Sequence, residues 1–408
     1  MTDIIYDLTN IVGLMDAIYT KENKQEYYSM NEYSTKSNEK YYIIKYNKDI
    51  LTPCSTDTYG YLRSIIVSIN GKVLSFSPQK SMSAEVFIEK YPIIDDTFYS
   101  EEFVEGTMIN LFYNPDMGIC GCWQISTRNT VGGDTRFFSS KTFNTMFNEA
   151  CVHNNFNYNI LNPEFCYSFV LQHPDNRMVL PIKTPQLYLV GVYSIEQTDN
   201  TLKIHEHNME GVKLHGLWDT TTIKFPQRYQ INSYAELIEK FASANTDYSI
   251  MGIIVKNSIT GERMKVRNPI YEEVKHLRGN QPKLLYQYLM LRKEGKVPQL
   301  LKFYPEYKDQ LSQFRDNIHM FTRTLHQNYI DCYVKKLMPL NQYSEQFRTH
   351  MYKLHELYRT ELMAKKLSVN STVVINYVNN LHPTLLMYSL NYNLRKRNID
   401  KIKVDNQE

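Results

Sequence analysis

The chain has 408 residues, 42% of them hydrophobic, and a formal net charge of +3. That length exceeds one small domain and suits two, with enough apolar residues for a true core. The weak net charge excludes a chain that is basic throughout, so any nucleic-acid binding has to come from a local patch.

In residues 4–20, Ile4, Leu8, Ile11, Val12, Met15 and Ile18 fall at helical spacing, which predicts a helix. The polar stretch after it, up to residue 40, reads as a loop. Strands are predicted at 41–46 and 64–69, with Asn70-Gly71 as a two-residue hairpin turn leading into a strand at 73–76. A short helix is predicted at 84–90. Residues 107–113 and 123–127 read as two strands, separated by the breaker Asn114-Pro115-Asp116-Met117-Gly118. A helix at 141–152, strands at 165–171 and 187–192, a helix at 234–243 and strands at 248–256 and 263–266 complete this region.

From residue 271 the strand signals end. Helical period takes over near 282–294, 307–338, 343–367, 370–380 and 382–397, with Pro298, Pro305, Pro339 and Pro383 between segments. The reading is α+β: a domain of antiparallel sheets and helices over 1–270, then an all-α domain over 271–408. The stripe Leu311, Phe314, Ile318, Phe321 and Leu325 is helical core or a surface for a protein partner.

No apolar run is long enough for a membrane span, and the start at Met1-Thr2-Asp3 lacks a basic region followed by an apolar one, so no signal peptide is expected. The six cysteines (Cys54, Cys120, Cys122, Cys151, Cys166, Cys332) lack framework spacing, which fits free thiols in a reducing, cytoplasmic compartment. Cys120-Gly121-Cys122 has no evident partners for a metal site. His205-Glu206-His207 reads as a solvated strand edge. The basic end Arg395-Lys396-Arg397, with Lys401 and Lys403, suits phosphates or simply a helix C-terminus.

Several motifs are more specific in combination. Phe103-Val104-Glu105-Gly106-Thr107 precedes a strand and resembles the Lys-x-Asp-Gly-Ser/Thr nucleophile motif of covalent nucleotidyltransferases. Arg63 in Leu62-Arg63-Ser64-Ile65-Ile66, Lys80 in Phe76-Ser77-Pro78-Gln79-Lys80, the run 169–179 with His173-Pro174-Asp175-Asn176-Arg177, the strand 251–256, and Lys265-Val266-Arg267 resemble the family's other motifs, in order. The resemblance covers roughly residues 40–275 and is to RNA ligases of the phage tRNA-repair type, which carry a helical C-terminal domain. It implies an ATP-grasp-like ligase domain over 1–270.

The resemblance also implies a degenerate site. The family needs a neutral lysine amine to attack the α-phosphate of a nucleotide. Phe103 stands at that position, and Val170 and Met251 stand where carboxylates would be, so no Mg²⁺ ligands are expected there. Glu105 and Gly106 remain of the nucleophile motif. Arg63, Lys80, Lys256, Lys265 and Arg267 remain on the cationic side and are expected to bind phosphate.

These residues together imply a pseudoenzyme with no metal and no covalent cofactor. It would bind RNA ends or a non-covalent nucleotide, as a subunit of an RNA-processing, capping or translation assembly. Phe103 would stack on a base. Phe103, Val170 and Met251 packing a collapsed pocket is the structural counterpart. The alternatives are an adaptor that binds a protein partner through the helical domain, and an active RNA ligase with an atypical nucleophile. Lys45 and Lys48 are on a strand but lack the following acid-Gly. The 33 tyrosines and abundant Asn, Lys and Ile fit an AT-rich coding sequence, as in many large DNA viruses, which would place the protein in a viral factory.

Overall fold

The computed structural model describes residues 3–22, 25–137, 139–230, 232–281 and 283–395. Fourteen strands are found among them: β1 Ile4–Asp7, β2 Tyr28–Ser34, β3 Lys40–Tyr46, β4 Ile65–Ser68, β5 Val73–Ser75, β6 Phe98–Glu102, β7 Thr107–Asn114, β8 Cys122–Ser126, β9 Phe165–Gln172, β10 Gln186–Gln197, β11 Leu202–Glu206, β12 Arg228–Tyr229, β13 Gly252–Asn257 and β14 Arg263–Arg267. The helices interleaved with them are α1 Leu14–Thr20, α2 Thr56–Tyr59, α3 Ala84–Lys90, α4 Phe143–His153, α5 Met209–Lys213 and α6 Tyr234–Ala242. Then come α7 Pro269–Arg278, α8 Leu284–Lys293, α9 Val297–Phe303, α10 Lys308–Tyr329, α11 Glu345–Leu357, α12 Ser371–Asn380 and α13 Pro383–Leu390. The fold is α+β with a helical C-terminal region.

The chain divides into two compact units, Met1–Lys275 and His276–Glu408. The first holds three antiparallel sheets, in the orders β1-β11-β10-β9-β7-β8, β12-β6-β13-β14 and β2-β3-β4-β5. Strand alternation sorts the side chains. On the six-stranded sheet, Ile109, Leu111, Phe169, Leu171, Leu187 and Leu189 bury one face with Met146 and Phe147 of α4. On the β12-β6-β13-β14 sheet, Ile253, Val255 and Met264 pack on Phe87 of α3 and on Leu237 and Phe241 of α6. By the same alternation, the opposite face of that sheet carries the charged residues.

The second unit buries one stripe of each long helix: Leu311, Ile318, Phe321 and Leu325 of α10, Met351 and Leu354 of α11, and Val374 and Val378 of α12. His350 is buried within it, bonded to the Tyr377 hydroxyl at 2.9 Å and to Ser389 Oγ at 2.8 Å.

Three expectations are corrected, and one strand is added. The N-terminal helix begins only at Leu14, because Ile4 and Tyr6 alternate with exposed neighbours and pair with β11 as strand β1. The polar stretch after it contains β2, whose pairing along β3 overrides its polar composition. Strand β6, which local composition does not predict, runs into the nucleophile-like motif. His205-Glu206-His207 is not at a sheet edge, since β11 lies between β1 and β10. The end at Lys396, Arg397, Lys401 and Lys403 lies outside the described residues.

Candidate functional site

The register of the four-stranded sheet places charged residues on one face. Arg228 and Ile254 flank Glu101, Ile254 pairs with Lys265, Lys256 pairs with both Tyr99 and Arg263, and Arg267 pairs with Gly252. Arg263, Lys265 and Arg267 are two residues apart on β14, so all three leave the same face. Phe103 follows β6 directly, two residues beyond Glu101. Its ring lies under the Lys265 ammonium, with Nζ 4.4 Å from the centroid, and the Arg267 guanidinium carbon is 5.8 Å away. Both are cation–π distances.

This cluster has few acids to balance it. Burial pushes Lys265 well below the ordinary lysine range, and Arg263, Arg63 and Arg267 push it further, with Glu101 opposing them. Arg63 is likewise lowered to about 10, by burial and then by Arg263. Its Nη1 donates to the Pro78 carbonyl at 3.4 Å. Arg263 donates to the Gln79 carbonyl, while its Nε has no hydrogen-bond partner. Gln79 Nε2 donates to the Gly261 carbonyl at 2.5 Å, so residues 78–79 dock onto the β13–β14 hairpin. Glu101 is pushed up by burial, an effect that Lys256, Arg263 and Arg228 offset in part.

Arg63, Lys265, Arg267 and Phe103 are therefore brought together. The other expected phosphate ligands are placed differently. Lys256 is engaged in an ion pair with Glu206, and both side chains are 7% exposed. Glu206 also accepts from the Tyr6 hydroxyl. Glu105 is buried and accepts the backbone N–H groups of Val179 and Leu180, each at 3.1 Å. Its carboxylate thus holds the loop after β9. Lys80 is half-buried, and its backbone N–H donates to the Gly60 carbonyl at 3.0 Å. Arg267 shares its charge with Glu272 at 2.9 Å.

Gly106 has φ 153°, and a Cβ there would lie 2.5 Å from Val170 Cγ1 and 2.6 Å from the Leu171 carbonyl oxygen. That close approach requires glycine. Val170 is buried, opposite Met108 and Tyr188. Met251 is half-buried just before β13, and its carbonyl accepts from Asn268 N–H at 3.1 Å.

Magnesium needs oxygen ligands, several of them carboxylates or phosphates. Of the acids around this face, Glu206 pairs with Lys256, Glu210 with Arg228 and Glu272 with Arg267, and Glu105 is bonded to the loop, which leaves the half-buried Glu101 as the carboxylate without an ion pair among the described residues. The residues present do not fit a protein-held metal. A cavity of about 630 Å³ opens beside Glu101 and Arg228, lined also by Glu210, Lys213 and Phe225. Arg228 stacks on Tyr99 at 4.1 Å and pairs with Glu210 at 3.2 Å. Another cavity, of about 640 Å³ and lined by Phe165, Tyr167, His207 and Trp218, lies on the α4 side of the six-stranded sheet, away from the cations.

Sequence reasoning misses Arg263, Glu101, Tyr99 and Arg228. A signal for Arg263 exists, since the run Arg263-Met264-Lys265-Val266-Arg267 alternates cationic and apolar. Glu101 and Tyr99 have none, because nothing local marks β6 as a strand. A further cluster, Glu149, His173 and Asp175, has metal-ligating side chains. Lys141 already bridges Glu149 at 2.8 Å and Asp175 at 2.9 Å, and His173 Nδ1 accepts the Asp175 N–H. Nε2 then carries the proton toward Glu149, leaving no lone pair for a metal.

No known protein-family model matches the chain. It is similar to an RNA ligase of Rhodothermus phage RM378, at 23% identity over 252 residues, covering 53% of this chain and 57% of the relative. It is also similar to an immediate-early protein ICP-46 homolog of Invertebrate iridescent virus 6, at 24% identity over 310 residues, covering 71% of this chain and 64% of the relative. The chain spans less than two thirds of the length of either. Among solved structures, an archaeal ATP-dependent RNA ligase aligns over 71% of this chain and 72% of its own, with 11% identity and a TM-score of 0.39. An RNA ligase of Naegleria gruberi with pyrophosphate aligns over 48% and 57%, with 14% identity and a TM-score of 0.33. Among the described residues, no helix is long and apolar enough to cross a membrane.

Proposed function

We propose that this is a catalytically inactive, RNA-ligase-like protein that holds an RNA end or a nucleotide, without covalent attachment, on the cationic face of the β12-β6-β13-β14 sheet. The observation that carries this reading is Phe103 under Lys265, at 4.4 Å. A ring with no lone pair occupies the nucleophile-like position, and the neighbouring cations pack against it. Arg63, Arg263, Lys265 and Arg267 then act as donors to phosphate oxygens. The scarcity of carboxylates supports anion binding without a metal.

The test is binding of labelled RNA and of ATP by wild type and by the double variant Lys265→Glu, Arg267→Glu. Each charge-assisted contact contributes about 1.5–3 kcal/mol, so losing two weakens binding by more than tenfold. Affinity also falls steeply with salt. A wild type that binds neither RNA nor nucleotide at low salt overturns the reading and leaves the adaptor role for the helical region.

One observation favours a second reading, an active ligase with a displaced nucleophile. Lys265 is held below the usual lysine range, as an attacking amine requires. Its Nζ lone pair would attack the α-phosphorus of ATP, forming a P–N bond and expelling pyrophosphate as the P–O bond breaks, with one amine proton passing to the pyrophosphate or to solvent. Incubation with α-labelled ATP and Mg²⁺ or Mn²⁺ separates the two. A labelled band that survives denaturing electrophoresis and disappears in Lys265→Met supports the second reading, and no band supports the first.

A further inference from the structure

The helical unit has a basic cavity of its own. Helices α8, α10 and α12 enclose a space of about 330 Å³, lined by Arg292, His319, Arg323 and His326, with Ser371 and Asn379. Among the described residues, no acid lines it. The reason is visible in the sequence: α8 and α12 contain no Asp or Glu, and α10 contains none between Asp316 and Tyr329. The four basic side chains come from two helices, with His319, Arg323 and His326 spaced three or four apart on α10, so they share one helix face.

Their partners are neutral. Arg292 Nη2 donates to Asn379 Oδ1 at 2.6 Å, and His326 Nε2 meets the Val369 carbonyl at 3.3 Å. Among the described residues, none of the four forms an ion pair. Asn379 fixes the direction of the Arg292 fork without cancelling its charge. Two guanidiniums and two imidazoles around one concave space, without a carboxylate, form a donor set for an oxyanion. Arginine suits it best, since its planar fork matches phosphate oxygens two at a time.

We infer that this cavity between α8, α10 and α12 is a second phosphate-binding site, independent of the sheet face, and that it takes a phosphate group of a polynucleotide or a free phosphate. A volume of about 330 Å³ exceeds that of one phosphate and admits a phosphate with part of its attached sugar. On a polynucleotide the site engages the backbone and adds affinity with no base preference.

The test uses the full chain. Anisotropy of a fluorescein-labelled oligoribonucleotide is measured at several salt concentrations for wild type, Arg292→Glu with Arg323→Glu, and the milder Arg292→Gln with Arg323→Gln. Calorimetry with inorganic phosphate forms a parallel arm. The expected result for the polynucleotide source is at least a tenfold loss of RNA affinity in the Glu pair, a smaller loss in the Gln pair, and a salt slope lower by about two. Unchanged RNA affinity with phosphate binding abolished assigns the site to free phosphate. Wild-type affinity for both probes in both variants overturns the inference. Lys265→Glu with Arg267→Glu is measured alongside. Loss confined to that pair overturns the second site and keeps the sheet face, and loss confined to the Arg292 and Arg323 pair does the reverse.

Discussion

The Lys256 ammonium on β13 and the Glu206 carboxylate on β11 form a buried ion pair that links the four-stranded sheet to the six-stranded one. The Tyr6 hydroxyl completes the coordination of the carboxylate from β1. Breaking such a pair strands a charge, which costs about 3–5 kcal/mol, whereas removing both partners costs far less. Lys256→Met is therefore expected to lower unfolding stability by about that amount, and Glu206→Gln in the same chain to recover most of it. Urea denaturation of the single and double variants measures both.

Glu105 gives a related expectation on a loop. Its carboxylate accepts the buried Val179 amide and the half-buried Leu180 amide. Glu105→Ala leaves them without a partner, at about 1–3 kcal/mol each. Thermal melting reads the loss. Trypsin cleavage after Arg177 or Lys183 is expected to accelerate in the variant relative to wild type.

Lys265 makes stability depend on pH in a defined direction. Its folded-state pKa lies below the unfolded value, so between the two the unfolded chain binds more protons, and stability rises with pH up to about 10.4. Lys265→Met removes the cost of the buried, repelled charge. The variant is expected to be more stable than wild type near neutral pH, with the advantage shrinking as pH approaches the unfolded value. If the cationic face holds an anion as proposed, that binding has the opposite trend. An anion favours the protonated amine, so affinity for ATP falls as pH rises through the lowered pKa. Calorimetry in two buffers of different ionisation enthalpy detects the accompanying proton uptake, which Lys265→Met abolishes.

Phe103→Lys is expected not to restore nucleotide transfer. The new amine enters beside Lys265 and Arg267, while Val170 and Met251 still supply no carboxylate and Glu105 stays with its loop. A further like charge beside Lys265 and Arg267 also lowers the melting temperature. A labelled adduct on this variant would mean that metal and phosphate are held by groups other than those described.

Local patterns are the most legible part of this sequence. Asn70-Gly71, the helix at Ala84–Lys90 and the alternation in 263–267 are encoded within a few residues, and each is found where the local signal lies. Strand β1 escapes such a reading because Ile4, Leu8, Ile11 and Met15 match helical spacing as well, and pairing with β11, some 200 residues away, decides between the two. A separation of 50 residues hides the fate of Lys256. Its motif position points to phosphate, but its partner Glu206 lies in an unrelated segment that only the fold brings near. Lys265 and Arg267 are legible together because their spacing on one strand encodes a shared face, whereas Arg63 approaches from outside that sheet. Glu101 is not, since no residue within β6 distinguishes a strand from a loop.

The crowding of Lys265 by Arg263, Arg63 and Arg267 has a practical corollary for the chemistry of the chain. A lysine that gives up its proton readily presents more of the free amine, the nucleophilic form, to man-made electrophiles than one with an ordinary pKa. A limiting dose of an activated ester or an aryl aldehyde should mark Lys265 ahead of the exposed lysines on the surface. The proposed anion site beside the nucleophile-like motif can be tested in the same way, by how far a bound guest slows that labelling.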